Sequence, residues 1–133
     1  EEIAYYLKEY IDNIGADALI PIPLHRARYR KRGYNQAYEL AKHIGRYAGV
    51  PVESKLLQRI KNTVPLKLLN PVERQNNLKK AFNISQNVVK LEKVILVDDI
   101  YTTGSTMDEA ARTLLQAGVK EVYFIALSCG NGI

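Results

Sequence analysis

Apolar residues fall along this chain in short blocks whose spacing changes between the period of a helix and that of a strand. Ile3, Leu7, Tyr10, Ile11 and Ile14 recur at helical spacing and stop at Gly15, which predicts a first helix. Ala18-Leu19-Ile20-Pro21-Ile22 is a continuous apolar run, read as a short strand ended by its prolines. Ala37, Leu40, Ala41, Ile44 and Ala48 line one face of a second helix, with Asn35 as its N-cap and Gly49 as its stop. Residues 52–60 predict another extended segment. Residues 61–80 are polar, carry Pro65 and Pro71, and scatter Leu66, Leu68 and Leu69 without a period. A stretch of this length without an element of its own reads as a lid or binding loop. Val94-Ile95-Leu96-Val97 predicts a strand covered on both faces. Met107, Ala110, Ala111, Leu114 and Leu115 form a helical face that stops before Gly118, and residues 122–127 make a last buried strand.

Helices and strands in this alternation predict an α/β fold built on a parallel sheet wrapped by helices. Ligands of such sheets collect at the carboxyl ends of the strands. The segments after Ile22 and after Val97 both leave from strand carboxyl ends, so both are expected to open on the same side.

Composition narrows the picture modestly. With 133 residues, 47% hydrophobic and 25% charged, the chain reads as one globular domain spanning 1–133. No apolar run approaches the ~20 residues that span a bilayer, and no secretory leader opens the chain. The expectation is therefore a cytoplasmic protein with no membrane partner. Glu1 in place of a starting Met suggests a fragment or a processed chain. Cys129 is the single cysteine, and His25 and His43 stand 18 positions apart, so an internal disulfide framework or a multi-cysteine zinc site is not expected. Cys129 reads as a chance small residue rather than a nucleophile, and His43 as part of a polar helix flank.

The net charge of +5 is concentrated. His25-Arg26-Ala27-Arg28-Tyr29-Arg30-Lys31-Arg32 holds five of the 19 basic side chains in eight residues. Such a run is either a solvated loop or a site for phosphate esters or nucleic acid.

The stretch VILVDDIYTTGST, residues 94–106, carries the chemistry. Paired aspartates can hold a metal, polarise a water, grip a sugar diol or cap a loop. Thr102, Thr103, Gly104, Ser105 and Thr106 supply hydroxyls, backbone N–H groups and a glycine free to adopt positive φ. They lead into a helix amino end, where unpaired N–H groups and the helix dipole favour a phosphate. Asp98 and Asp99, set before this cradle, would repel a bare phosphate, so a hydroxyl donor or a divalent cation is their expected partner. A diol beside a phosphate is the pattern of a phosphorylated ribose.

The same 13 residues resemble the phosphoribosyl pyrophosphate (PRPP) motif of type I phosphoribosyltransferases. That resemblance implies that Asp98 and Asp99 contact the ribose hydroxyls and that residues 102–106 bind the 5′-phosphate. PIPLHRARYRKRGYNQAYELA, residues 21–41, is similar to the region that marks ComF-type proteins, a phosphoribosyltransferase-like group linked to competence and DNA uptake. Thr63, Pro65, Leu69, Arg74, Asn77, Ala81 and Phe82 follow the spacing of that group, while Leu66 stands where it typically has Gln. The loop after the first strand corresponds to the family's pyrophosphate loop, which turns Arg26, Arg28 and Arg32 into expected anion ligands and brings His25 near them. The group usually begins with a four-cysteine zinc segment, which a chain with one cysteine does not contain.

The implied reaction is displacement of pyrophosphate from PRPP by a nitrogen nucleophile, with Asp98 and Asp99 as the catalytic candidates. Asp99, read as the start of the loop, is the candidate for helping a proton leave. Mg²⁺ is the implied cofactor, held mainly by PRPP oxygens and water, with Asp98 or Asp99 as an added ligand. Two rival readings remain: a PRPP or nucleotide sensor without turnover, and an accessory protein that binds single-stranded nucleic acid. Residues 1–15 and 128–133 are the candidates for the small hood that selects the acceptor. The acceptor itself is not legible, and a homodimer is left open.

Overall fold

The computed structural model describes residues 2–23, 35–59, 70, 72, 82–85, 91–101 and 105–129, with side chains at 2–6, 99–101, 105 and 127–129 outside the description. The elements are α1 (Glu2–Ile14), β1 (Ala18–Pro21), α2 (Gln36–Ala48), β2 (Leu57–Arg59), β3 (Phe82–Ile84), β4 (Lys93–Tyr101), α3 (Ser105–Gln116) and β5 (Glu121–Cys129).

β1, β4 and β5 form a parallel sheet in the order β1-β4-β5. Leu19 also pairs with Val52 in parallel, which extends the sheet beyond β1 by one bridge. The α/β architecture with helices flanking a parallel sheet agrees with the sequence expectation.

Strand alternation divides the core in two. Ile20, Val94 and Leu96 face Ala110, Ala111 and Leu114 of α3, together with Leu56, Leu57 and Phe82. Leu19, Ile95, Val97 and Ile125 face Ile11 of α1 and Ala41 and Ile44 of α2. Residues 94–97 are each 0% exposed, which is why the sequence there shows no polar alternation. Tyr10, placed on the helical face by its spacing, is instead 40% exposed at the rim of α1, where its hydroxyl donates to the Phe124 carbonyl. The ring's polar tip reaches a backbone acceptor there that a buried face would not offer. Of the chain ends proposed as a hood, α1 sends Ile11 into the core, 128 and 129 end β5, and 130–133 lie outside the described residues.

Three boundaries differ from the sequence reading. The segment expected to be extended over 52–60 is broken by a turn at 54–56, and only β2 is a strand there. β2 pairs antiparallel with β3, a strand the sequence did not announce, because three residues are too short to show a period. β4 runs on to Tyr101, so Asp98 and Asp99 are strand residues and the loop begins after them.

At the other end of the sheet, Asp17 fixes the start of the β1–β4 pair. Its carboxylate accepts from the amides of Glu92 (2.9 Å) and Lys93 (3.0 Å), and its own amide donates to the Lys93 carbonyl at 2.7 Å. These backbone donors hold the Asp17 carboxyl below its ordinary value, the Lys93 amide first and the Glu92 amide second. A lowered pKa stabilises the fold above the unfolded carboxyl value, and the gain is lost as pH falls through the folded value. Asp17→Ala is therefore expected to lower the melting temperature by about 3–5 °C near pH 7, allowing for solvent screening at this exposed site. Thermal melts followed by circular dichroism should show that difference narrowing as pH falls below the ordinary carboxyl range.

Candidate functional site

The register Pro21↔Val97 places the carboxyl end of β1 beside Val97, the residue before Asp98, while β4 runs on to Tyr101 against β5. The Ile22 amide continues that pairing by donating to the Val97 carbonyl at 2.9 Å. The chain thus leaves β1 at Ile22 and Pro23 next to Asp98, which pairs with Ala126 of β5 and is half-buried. Strand alternation sets Asp98 on the side of Val94 and Leu96, the α3 side of the sheet. The shared exit expected of the two loops is therefore present at their described ends.

α3 begins at Ser105, four positions after β4 ends, so its amino end lies at this same edge. Ser105 and Thr106, expected in the loop, belong to the first turn of the helix. Met107 in that turn is buried, and Thr106 is half-buried. Asp108 is also in the first turn and exposed. The first-turn amides of a helix have no intrahelical acceptor, and with the dipole they favour an anion. A half-buried carboxylate on β4 just past the end of β1 and a helix amino end at the same edge suit a ligand that combines hydroxyls with a phosphate.

The base of the basic run is pinned from both sides. Asn35 caps α2 through its side-chain oxygen, which accepts from the amides of Ala37 (2.9 Å) and Tyr38 (3.4 Å). The same side chain donates through Nδ2 to the Ile22 carbonyl at 3.2 Å. One residue therefore closes the segment between β1 and α2 and caps the helix that follows, where the capping alone is worth about 1 kcal/mol. Arg59, the last residue of β2, donates from Nε to the Pro23 carbonyl at 3.0 Å. Its guanidinium lies over the Phe82 ring, 4.9 Å from the centroid, and Arg59 and Phe82 are direct partners across the β2–β3 pair.

Asp98, Asp99, Ser105 and Thr106 are thus brought to one edge of the sheet, with only the backbone described at Asp99 and Ser105. Arg26, Arg28, Arg32, Thr102, Thr103 and Gly104 lie outside the described residues, as do His25 and, apart from 70 and 72, the stretch 61–80. His43 is exposed on α2, in keeping with a polar flank. Arg59 and the second role of Asn35 were not legible. Arg59 sits in a three-residue strand with no periodicity, and a capping asparagine gives no sign of what its amide nitrogen will meet. Among the described residues, no group of three or more His, Cys, Asp or Glu side chains is placed to hold a metal ion, and no helix is long and apolar enough to cross a membrane.

Comparison with known proteins agrees with this frame. The chain belongs to the phosphoribosyl transferase domain family, whose model matches residues 31–131, and within it to the ComF-type competence proteins. It is 39% identical to competence protein F of Haemophilus influenzae over 114 residues, covering 84% of this chain and 50% of that protein. It is 36% identical to the DNA utilization protein YhgH of Salmonella typhi over 106 residues, 80% of this chain and 46% of that protein. The chain therefore spans about half the length of these relatives. The structure of a purine phosphoribosyltransferase from Pyrococcus horikoshii superposes with a TM-score of 0.58 over 95% of this chain and 70% of that one. At 15% identity that likeness establishes the type I phosphoribosyltransferase fold.

Proposed function

We propose that this domain binds PRPP, or a ligand carrying the same phosphorylated ribose, at the carboxyl edge of the sheet, in the service of DNA uptake or use. The observation that supports it most directly is the placement of half-buried Asp98 on β4, one residue beyond its last pair with β1, at the edge of the sheet from which α3 begins. In this reading Asp98 and Asp99 hold the ribose diol, residues 102–106 hold the 5′-phosphate, and Arg26, Arg28 and Arg32 face the pyrophosphate. Among the described residues no group of three or more His, Cys, Asp or Glu is placed to cage a metal, and in this reading Mg²⁺ would come in with the ligand, with Asp98 or Asp99 as an added ligand. Magnesium keeps much of its hydration and is commonly bound through substrate phosphates with one or two carboxylates. When bound, it would neutralise charge on the pyrophosphate. The chain's own part is to orient the sugar and to exclude water around it.

Two uses of such a site are distinguishable. The names of the relatives speak of competence and DNA utilization rather than of a transfer reaction, which favours a sensor or accessory role without turnover. The transferase reading adds displacement of pyrophosphate at C1 of the sugar by a nitrogen nucleophile, and the acceptor is unidentified.

Titration calorimetry with PRPP and Mg²⁺ is expected to show saturable binding that chelation abolishes. No heat with PRPP or with ribose 5-phosphate would overturn the ligand assignment. Pyrophosphate release across a panel of bases and amines then separates the two uses, since a sensor releases none. Single-stranded DNA binding with a steep salt dependence, in a protein that ignores PRPP, would instead favour a nucleic-acid accessory.

A further inference from the structure

We infer that Arg59 is a positioning residue that fixes the carboxyl end of β1 beside Asp98 and thereby sets the affinity of the proposed site for its ligand. Pro23 is the last described residue before residues 24–34, and its carbonyl accepts from Arg59 Nε at 3.0 Å. Asn35, the first described residue after them, holds the neighbouring Ile22 carbonyl at 3.2 Å. The two ends of the run are therefore held at adjacent carbonyls by two different side chains. Arg59 is the one that belongs to neither β1 nor α2.

What makes Arg59 a rigid anchor is its own support. A hydrogen bond from a guanidinium is charge-assisted and directional. The planar group also lies 4.9 Å from the centroid of the buried Phe82 ring, within the range of a cation–π contact. Phe82 is the direct partner of Arg59 in the β2–β3 pair and packs with Leu56, Leu57 and Leu96. The carbonyl of Pro23 is thus tied through one side chain to the core on the α3 side of the sheet. A lysine keeps the charge but has neither the Nε–H at that position nor a planar group to lie on the ring.

The positional claim needs no ligand, whereas its effect on affinity rests on the proposed site. Two arms keep them apart. Hydrogen exchange read by NMR is expected to speed up about tenfold at the Ile22 amide in Arg59→Met, as a bond to a charged donor is lost one residue away. The Leu19 amide, bonded to the Pro51 carbonyl, should be unchanged and reports that the fold is intact. An unchanged Ile22 rate would overturn the inference whatever the ligand. In the second arm, calorimetry with PRPP and Mg²⁺ should give about tenfold weaker binding for Arg59→Met, with Arg59→Lys recovering only part of the loss. Full recovery in Arg59→Lys would mean that charge alone matters and would also overturn it. If the wild-type protein binds no PRPP, the site proposal fails and the exchange rates alone decide the role of Arg59.

Discussion

Asp98→Asn combined with Asp99→Asn is expected to weaken Mg²⁺-dependent PRPP binding by about 100-fold or more, since hydrogen bonds to charged groups contribute ~1.5–3 kcal/mol each. Asparagine keeps the size of the side chain and one acceptor oxygen, but removes the negative charge that favours a diol's donors and a nearby cation. Calorimetry against PRPP with Mg²⁺ measures the effect, and thermal melts check that β4 still forms. Asp108→Asn is the informative control. Asp108 is an exposed carboxylate in the first turn of α3, at the same edge of the sheet. Losing it removes one negative charge from the region, against two in the double variant, without touching the Asp98–Asp99 pair, and affinity for an anion is expected to hold or improve slightly. Equal losses in both variants would mean that the net field of the edge matters rather than the pair. A double variant with undiminished PRPP affinity would remove the diol assignment altogether. If that double variant also kept binding single-stranded DNA with a steep salt dependence, the accessory reading would gain what the PRPP reading lost.

The two halves of this site were unequally legible. Residues 94–97 are buried on both faces of the sheet, and that burial writes an unbroken apolar run into the sequence that any reader of periodicity finds. The helices α1 and α2 announce themselves for the same reason, through Ile11, Ala41 and Ile44 facing one core. The end of β4 did not. Asp98 and Asp99 are polar residues carried on a strand whose pairing continues through Asp98 with Ala126 and Ile100 with Ser128. Hydrophobicity marks an apolar strand segment, and pairing continues through polar positions that carry no such mark. Asp99 therefore belongs to the strand instead of opening the loop, which removes the reason for preferring it over Asp98 as the proton acceptor. The Arg59–Pro23 and Asn35–Ile22 contacts were out of reach for a different reason. Each joins a side chain to a backbone carbonyl 36 or 13 positions away, and a carbonyl leaves no trace in residue identity.

Gly45→Ala is expected to lower the melting temperature by about 6–10 °C, the consequence of ~2 kcal/mol of overpacking. Helix propensity alone argues the opposite, because alanine inside a helix gains about 1 kcal/mol over glycine. The packing decides the sign. A Cβ at Gly45 would stand 2.7 Å from the Val50 carbonyl oxygen and 2.9 Å from Val52 Cγ2. The carbonyl belongs to backbone that has little room to retreat. The Val50 amide donates to the Gly45 carbonyl at 3.0 Å, and the Leu19 amide donates to the Pro51 carbonyl at 2.9 Å. The Glu53 amide donates back to the Leu19 carbonyl, also at 2.9 Å. Relief therefore requires either tilting α2 away from the sheet or breaking the bridge between Leu19 and Val52. Both disturb β1, whose carboxyl end carries Ile22 and Pro23 at the mouth of the site, so PRPP affinity should fall along with stability. Gly49→Ala provides the contrast, since Gly49 has φ +73° at the end of α2 but nothing within 4 Å of an added Cβ. Its cost is backbone strain of about 1 kcal/mol, confined to the helix end and without effect on the ligand. Thermal melts of the two variants, each followed by a PRPP titration, separate close approach from conformation. A Gly45→Ala protein as stable as the wild type would show that α2 can shift from β1 at no cost and that the site does not depend on their contact.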